Sequence, residues 1–152
     1  MLATRVNDIE TEDTAALSFE MASGALVTSS VTLGGAQDHS RLRLVFQNLT
    51  AESSTQAYAP ASGDWHFAAR GAVSQAKIDA VTSESSQLHE GFAGYLEDVA
   101  KALNGAPSGA VTLADGRASI ELITAIYAAA RTGQRIALPL SSDHALYEGW
   151  MP

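Results

Sequence analysis

"LSFEMASGALVTSSVTL" (Leu17–Leu33) decides how this chain is read. Leu17, Phe19 and Met21 alternate with Ser18 and Glu20, the two-residue period of a strand with one face turned inward. "ASGA" (Ala22–Ala25) then offers small residues and a glycine for a tight turn, and Leu26–Leu33 continues as a second strand. The spacing predicts a β-hairpin pivoted on Ser23-Gly24. Pairing about that pivot places Leu17, Phe19, Met21 and Leu26 on one face. The other face collects Ala16, Ser18, Glu20, Val27, Ser29, Val31 and Leu33. It is too apolar for plain exposure and too small and polar for a core, so it either meets another subunit or stays weakly solvated.

Immediately upstream, "NDIETEDTAAL" (Asn7–Leu17) crowds Asp8, Glu10, Glu12 and Asp13 together. A calcium loop of the EF-hand type needs acids at positions 1, 3 and 5, glycine at 6 and glutamate at 12. Counted from Asp8, Asp13 and Phe19 fall where glycine and glutamate belong, so the stretch reads as a solvated turn feeding a strand.

Downstream, "SRLRLVFQN" (Ser40–Asn48) alternates with Leu42, Leu44 and Phe46 inward. Further strands are expected near Ala51–Tyr58 and Asp64–Ala68, separated by "APASG". Gly71–Gln87 is weakly patterned and reads as loop with a short strand. The period then changes. Leu88, Phe92, Leu96, Val99 and Leu103 recur at three and four residues, predicting an amphipathic helix that stops at Asn104-Gly105. A second helix starts near Leu113, with Thr112 and Asp115 as a capping pair, and Ile120, Ile123, Ile126, Tyr127 and Ala130 as its apolar face. It ends at Arg131 and Gly133. "QRIALPL" (Gln134–Leu140) reads as a closing edge strand. Strands first and helices later predict an α+β domain: a mostly antiparallel, open-faced sheet with two C-terminal helices on one face and no Rossmann domain.

Composition narrows the function. The 152 residues suit one domain, 46% are apolar, and the formal net charge is −8. Lys77 and Lys101 are the lysines, and Arg41 and Arg43 fit the wet face of a strand, so no basic stripe marks a nucleic-acid binder. Absence of cysteine removes disulfides, thiolate nucleophiles and zinc–thiolate sites. No apolar run reaches the ~20 residues of a membrane span, and no basic, apolar leader opens the chain. "NLT" (Asn48–Thr50) matches a glycosylation acceptor by chance in that setting, and the expected location is the cytoplasm.

The search for chemistry returns little. No G-x-G-x-x-G, P-loop, G-x-S-x-G or H-E-x-x-H occurs. His39, His66, His89 and His144 are scattered without carboxylates at ligand spacing, so no metal site is assigned. "DWHFA" (Asp64–Ala68) stands out: Trp65 and Phe67 share one strand face, with His66 on the other. It reads either as a core strand with an ordinary histidine or as a strand carrying His66 into a pocket at the sheet edge. His89, at the start of the first helix, reads either as a surface histidine or as a group holding an anion or hydroxyl there.

Two longer stretches resemble a known family. "NDIETEDTAALSFEMASGAL" is similar to the V-E-D-T-A…F-x-N-G-A-L segment in the C-terminal domain of Gfo/Idh/MocA oxidoreductases, which include inositol dehydrogenase and glucose–fructose oxidoreductase. "GFAGYLEDVAKALNGAPSGAVTLADGRASIELITAIYAAARTGQRIALPL" resembles that family's closing helices and last strand. Asp115-Gly116-Arg117, Glu121-Leu122, Tyr127, Ala130-Arg131-Thr132-Gly133 and Leu138-Pro139 match its pattern, with Ala129 where serine is usual. "HALYEGW" (His144–Trp150) resembles the family ending. The similarity covers nearly the whole chain and is weakest from Ala51 to Gln87.

That resemblance implies a fold and a role. The family places a Rossmann domain with a glycine-rich turn and an E-K-P strand end ahead of this one, and a D-x-x-x-H pair on a later helix. None of these is in the sequence, so the chain reads as the back portion of such an enzyme: a truncated product, a split gene or an independent remnant. The resemblance implies a substrate-binding and dimerisation domain of an NAD(P)-dependent oxidoreductase acting on a sugar or polyol. Alone it is expected to be inert and to bind no cofactor, with NAD or NADP serving the complete enzyme. A homodimer through the open sheet face, and a Rossmann partner in cis or in trans, are the expected associations. Trp65, His66 and His89 are the candidate pocket residues, as stacking and hydrogen-bonding groups. The alternatives are a stand-alone α+β dimer that binds a ligand or protein without redox activity, and a cofactor-free enzyme built on His66 or His89.

Overall fold

A computed structural model of the chain describes residues 2–3, 7, 9–83 and 91–149. The architecture is α+β, in two units: residues 1–35 with 111–152, and residues 36–110. Each unit carries a three-stranded antiparallel sheet where the alternation predicted a single one.

In the first unit, β1 (Leu2–Ala3), β2 (Thr14–Glu20) and β3 (Leu26–Thr32) pair in the order β1-β2-β3. The β2–β3 turn is not a two-residue pivot. Gly24 N–H donates to Met21 C=O and Met21 N–H to Ala25 C=O, each at 2.8 Å, leaving Ala22, Ser23 and Gly24 as the loop. Gly24 has φ +84°, the left-handed residue of a three-residue hairpin with a glycine bulge. This extra residue shifts the register by one, so Glu20 faces Leu26 and Phe19 faces Val27. A one-residue slip exchanges every side chain of a strand between faces. The predicted faces are therefore corrected. Val27, Ser29 and Val31 join Ala15, Leu17 and Phe19 on the less exposed face. Leu26, Thr28, Ser30 and Thr32 join Thr14, Ala16, Ser18 and Glu20 on a hydroxyl-rich open face.

The acidic stretch before β2 is a joint. Asp13 is buried; its carboxylate accepts from Asn7 N–H (2.6 Å), Asn7 Nδ2 (3.0 Å) and Thr14 Oγ1 (3.1 Å). Glu12 accepts from the Tyr127 hydroxyl at 3.0 Å. These carboxylates diverge to different partners, while Asp8 lies outside the described residues.

The last helix, labelled α3 in chain order, spans Leu113–Thr132. It opens on a reciprocal capping box: Asp115 N–H donates to Thr112 Oγ1, and Thr112 N–H donates to the Asp115 carboxylate at 2.7 Å. Gly133, at φ +67°, closes it by donating to Ala129 C=O. Its buried stripe is Thr124, Ala125 and Ala128, small residues on one face of the helix. Ile120 and Ile123, expected on the apolar face, are exposed. The segment after α3 is not a strand. Leu140 N–H donates to the Glu121 carboxylate at 2.7 Å instead of to a sheet partner, and Arg135 reaches Glu20 at 3.0 Å. The Leu138–Pro139 peptide is cis.

In the second unit, β4 (Arg43–Val45), β5 (Leu49–Glu52) and β6 (His66–Ala69) pair in that order. Leu44, Ala51 and Phe67 lie in register on one face; Arg43, Glu52 and His66 lie on the other, where Glu52 pairs with Arg41 and Arg43. Leu42, Leu44 and Phe46 are exposed, against the inward placement that alternation predicts, because among the described residues no helix packs substantially over β4. Helix α1 (Gln75–Ser83) occupies the stretch read as loop. Helix α2 (Gly91–Leu103) ends where predicted, with Ala106 N–H bonded to Lys101 C=O and Gly105 N–H to Ala102 C=O around a left-handed Gly105.

Two consequences can be measured. A Cβ at Gly24 would meet no atom within 4 Å, so Gly24→Ala costs only left-handed backbone strain. It should lower the urea midpoint by an amount equivalent to about 1 kcal/mol, and an unchanged midpoint would contradict the bulge. The bonds from Thr112 hold the Asp115 carboxyl below its ordinary value. The charged form makes these bonds, so their stabilisation is complete above the unfolded carboxylate pKa. It is lost as pH falls through the lower folded value. The Tm difference between the wild type and Asp115→Asn should be largest at neutral pH and close in acid.

Candidate functional site

The site forms at the outer edge of β6. An edge strand presents unpaired N–H and C=O groups, and these need a cover. Here the cover is one side chain from α1: Gln75 Oε1 accepts from Ala69 N–H at 2.9 Å, and Gln75 Nε2 donates to Phe67 C=O at 2.8 Å. A primary amide carries the same donor and acceptor as a peptide group, so Gln75 completes part of a missing strand. Gln75 Nε2 also donates to Asp79 Oδ1, one helical turn on, at 2.8 Å. Ile78, buried, anchors α1 on its inner side.

Gln75, Asp79 and Thr82 follow one another at four- and three-residue spacing along one face of α1. Together with β6 and the lip that precedes it, they line an open cleft of about 990 Å³. That lip is a 3₁₀ turn, Pro60–Ser62, pinned by Ser54 Oγ donating to Pro60 C=O at 2.9 Å. Gly63 lies against Ser54 so tightly that an added Cβ would collide with the serine side chain. Trp65 Nε1 donates to Ala61 C=O at 3.1 Å, which fixes the indole under the lip. Its ring stacks on Phe67, with centroids 6.2 Å apart and planes at 18°. Both rings are half-buried.

Of the sequence candidates, Trp65 lies in the cleft with Phe67 beside it. His66 borders the cleft at the start of β6, but its register opposite Glu52 puts it on the Arg43–Glu52 face, away from the aromatic pair. His89 lies outside the described residues. Gln75 and Asp79 carry no sequence signal of their own, because α1 buries only Ile78 and shows no apolar stripe. The signal present was Ser74 ahead of a run of good helix formers, and Lys77 N–H does donate to Ser74 C=O and Oγ at its start. Among the described residues, no three His, Asp or Glu side chains converge as metal donors, and no helix is long and apolar enough to cross a membrane.

A dinucleotide does not fit the described residues. It needs a glycine-rich turn from a parallel strand into a helix whose first N–H groups are open to the pyrophosphate. Both sheets are antiparallel. The N-terminus of α3 is occupied by its own Thr112–Asp115 box, whose carboxylate would repel a phosphate.

These features define an α+β domain with an edge-strand cleft and no Rossmann-like parallel sheet among its described residues. A profile of the C-terminal alpha/beta domain of the Gfo/Idh/MocA oxidoreductase family matches residues 3–138. The chain belongs to that family. No curated protein and no solved structure matches it. The matching motif residues have structural partners: Asp115 caps α3, Glu121 pairs with Arg117 and holds Leu140, Tyr127 binds Glu12, and Gly133 ends the helix. Burial, with Glu12 accepting its proton, raises the Tyr127 phenol above its ordinary value.

Gln75→Ala removes both edge bonds. The Ala69 amide should exchange with solvent markedly faster, while stability falls by about 1 kcal/mol because water replaces the lost partners. Unchanged exchange at Ala69 would show that Gln75 does not cover the edge.

Proposed function

We propose that this chain is the substrate-binding and dimer-forming part of an NAD(P)-dependent oxidoreductase acting on a sugar or polyol. Family membership supports the redox setting. The observation that carries the substrate class is the cleft itself, whose lining combines stacked Trp65 and Phe67 with the amide of Gln75 and the carboxylate of Asp79. A sugar ring presents C–H faces that pack on aromatic rings, and hydroxyl edges that need acceptors and donors in fixed positions. The open cleft joins aromatic faces to a few oriented polar groups, the mixture that a small hydroxylated ligand uses. In this reading Trp65 and Phe67 bind the ring, while Asp79, held in place by Gln75, accepts from its hydroxyls. The nicotinamide site belongs to another segment, in cis or in trans. The hydroxyl-rich open face of β2 and β3, with Leu26 protruding from it at 81% exposure, is the surface assigned to a second copy.

The test is a pair of titrations on the purified chain. Glucose and myo-inositol should show saturation transfer from the aromatic protons with millimolar dissociation constants, and Trp65→Ala should weaken both at least tenfold. NADH and NADPH should produce no saturable change. Sugar binding indifferent to Trp65 would overturn the cleft assignment. Micromolar cofactor binding would overturn the division of labour.

A further inference from the structure

The charge of the cleft carries a second conclusion, which rests on the proposed sugar-binding role. Asp64, His66 and Asp79 are the ionisable groups that line the cleft among the described residues, and no described lysine or arginine does. Sites that take phosphorylated or carboxylated ligands present guanidinium or ammonium groups to them. This cleft presents the opposite sign, on a chain whose formal net charge is −8. Asp79 is also held in place. Gln75 is anchored to β6 at Phe67 C=O and Ala69 N–H, and its amide donates to Asp79 Oδ1. That holds the carboxylate beside the β6 edge, in the cleft that the aromatic pair also lines. Asp79 Oδ2 has no partner among the described residues, which leaves it an acceptor for a ligand proton.

We propose that the cleft selects by charge, with Asp79 as the specificity-determining residue. A hydroxylated ring carrying a protonated amine binds better than the neutral ring, and sugar phosphates and sugar acids bind worse than it. The ammonium donates to Asp79 while the ring lies on Trp65, and π faces themselves attract cations. Asp79 is exposed, so the preference should have the size of a solvated ion pair, about threefold to fivefold. It should shrink as salt is added.

The experiment compares three probes of one ring type on the full chain by ligand-observed NMR at low salt. These are glucosamine (at a pH where its amine is protonated), glucose and glucose 6-phosphate. The expected order is glucosamine, then glucose about threefold to fivefold weaker, with glucose 6-phosphate weaker than glucose. Asp79→Asn keeps an acceptor oxygen and removes the charge; it should bring glucosamine and glucose to equal affinity. Equal affinities in the wild type, or a preference that survives Asp79→Asn, overturn the proposal. Trp65→Ala separates the two levels of inference. If it abolishes binding while the charge order is absent, charge selection fails and the cleft assignment stands. If binding is unaffected by Trp65→Ala, or no probe binds, both fail.

Discussion

Gly24 is the constraint on which the first unit depends. At φ +84° it lets the chain turn with three residues instead of two, and that one residue sets the register of seven paired positions. The register decides which side chains go inward: Phe19 opposite Val27 and Leu17 opposite Ser29. It also aligns the strand ends. Leu33 N–H reaches Asp13 C=O at 2.8 Å, and the Thr14 and Thr32 hydroxyls meet at 2.9 Å. With a two-residue turn the same sequence would present Val27 and Val31 outward and Leu26 inward, and the open face would be apolar where it is hydroxyl-rich.

The second unit solves a different problem with the same economy of residues. A sheet of short strands ends at β6, whose outer edge would invite a foreign strand. The Gln75 amide closes part of that edge, ties α1 to the sheet and aligns Asp79 in a single arrangement. Edge cover, helix anchoring and the placement of Asp79 are therefore joined in one side chain. A residue whose rotamer is locked by three hydrogen bonds holds its neighbour with little loss of entropy on binding, which is the usual basis of preorganisation.

Membership in an oxidoreductase family and the absence of a dinucleotide fit among the described residues are compatible, because the family's matching motifs in this chain build scaffold. Asp115, Glu121, Tyr127 and Gly133 cap, brace and end α3. The cleft residues Trp65, Gln75 and Asp79 are not among those motif positions.

By itself the sequence determined the local elements whose signals are complete within a few residues. The Thr112–Asp115 box, the glycine stops at Gly105 and Gly133 and the alternation of Leu17 and Phe19 each pair a residue type with one backbone demand. The shared face of Trp65 and Phe67 follows equally from strand period. Tertiary structure decided what such signals leave open. The hairpin register was not legible because "ASGA" suits a two- or a three-residue loop. Helix α1 was not legible because its single buried residue, Ile78, gives no periodic stripe. The apolar periodicity of α2 marked a helix correctly yet said nothing of its cover, and Phe92, Leu96 and Leu103 are exposed. His66 and Asp79 differ for the same reason: whether a polar residue faces a cleft is fixed by pairing partners distant in sequence, which local periodicity does not encode.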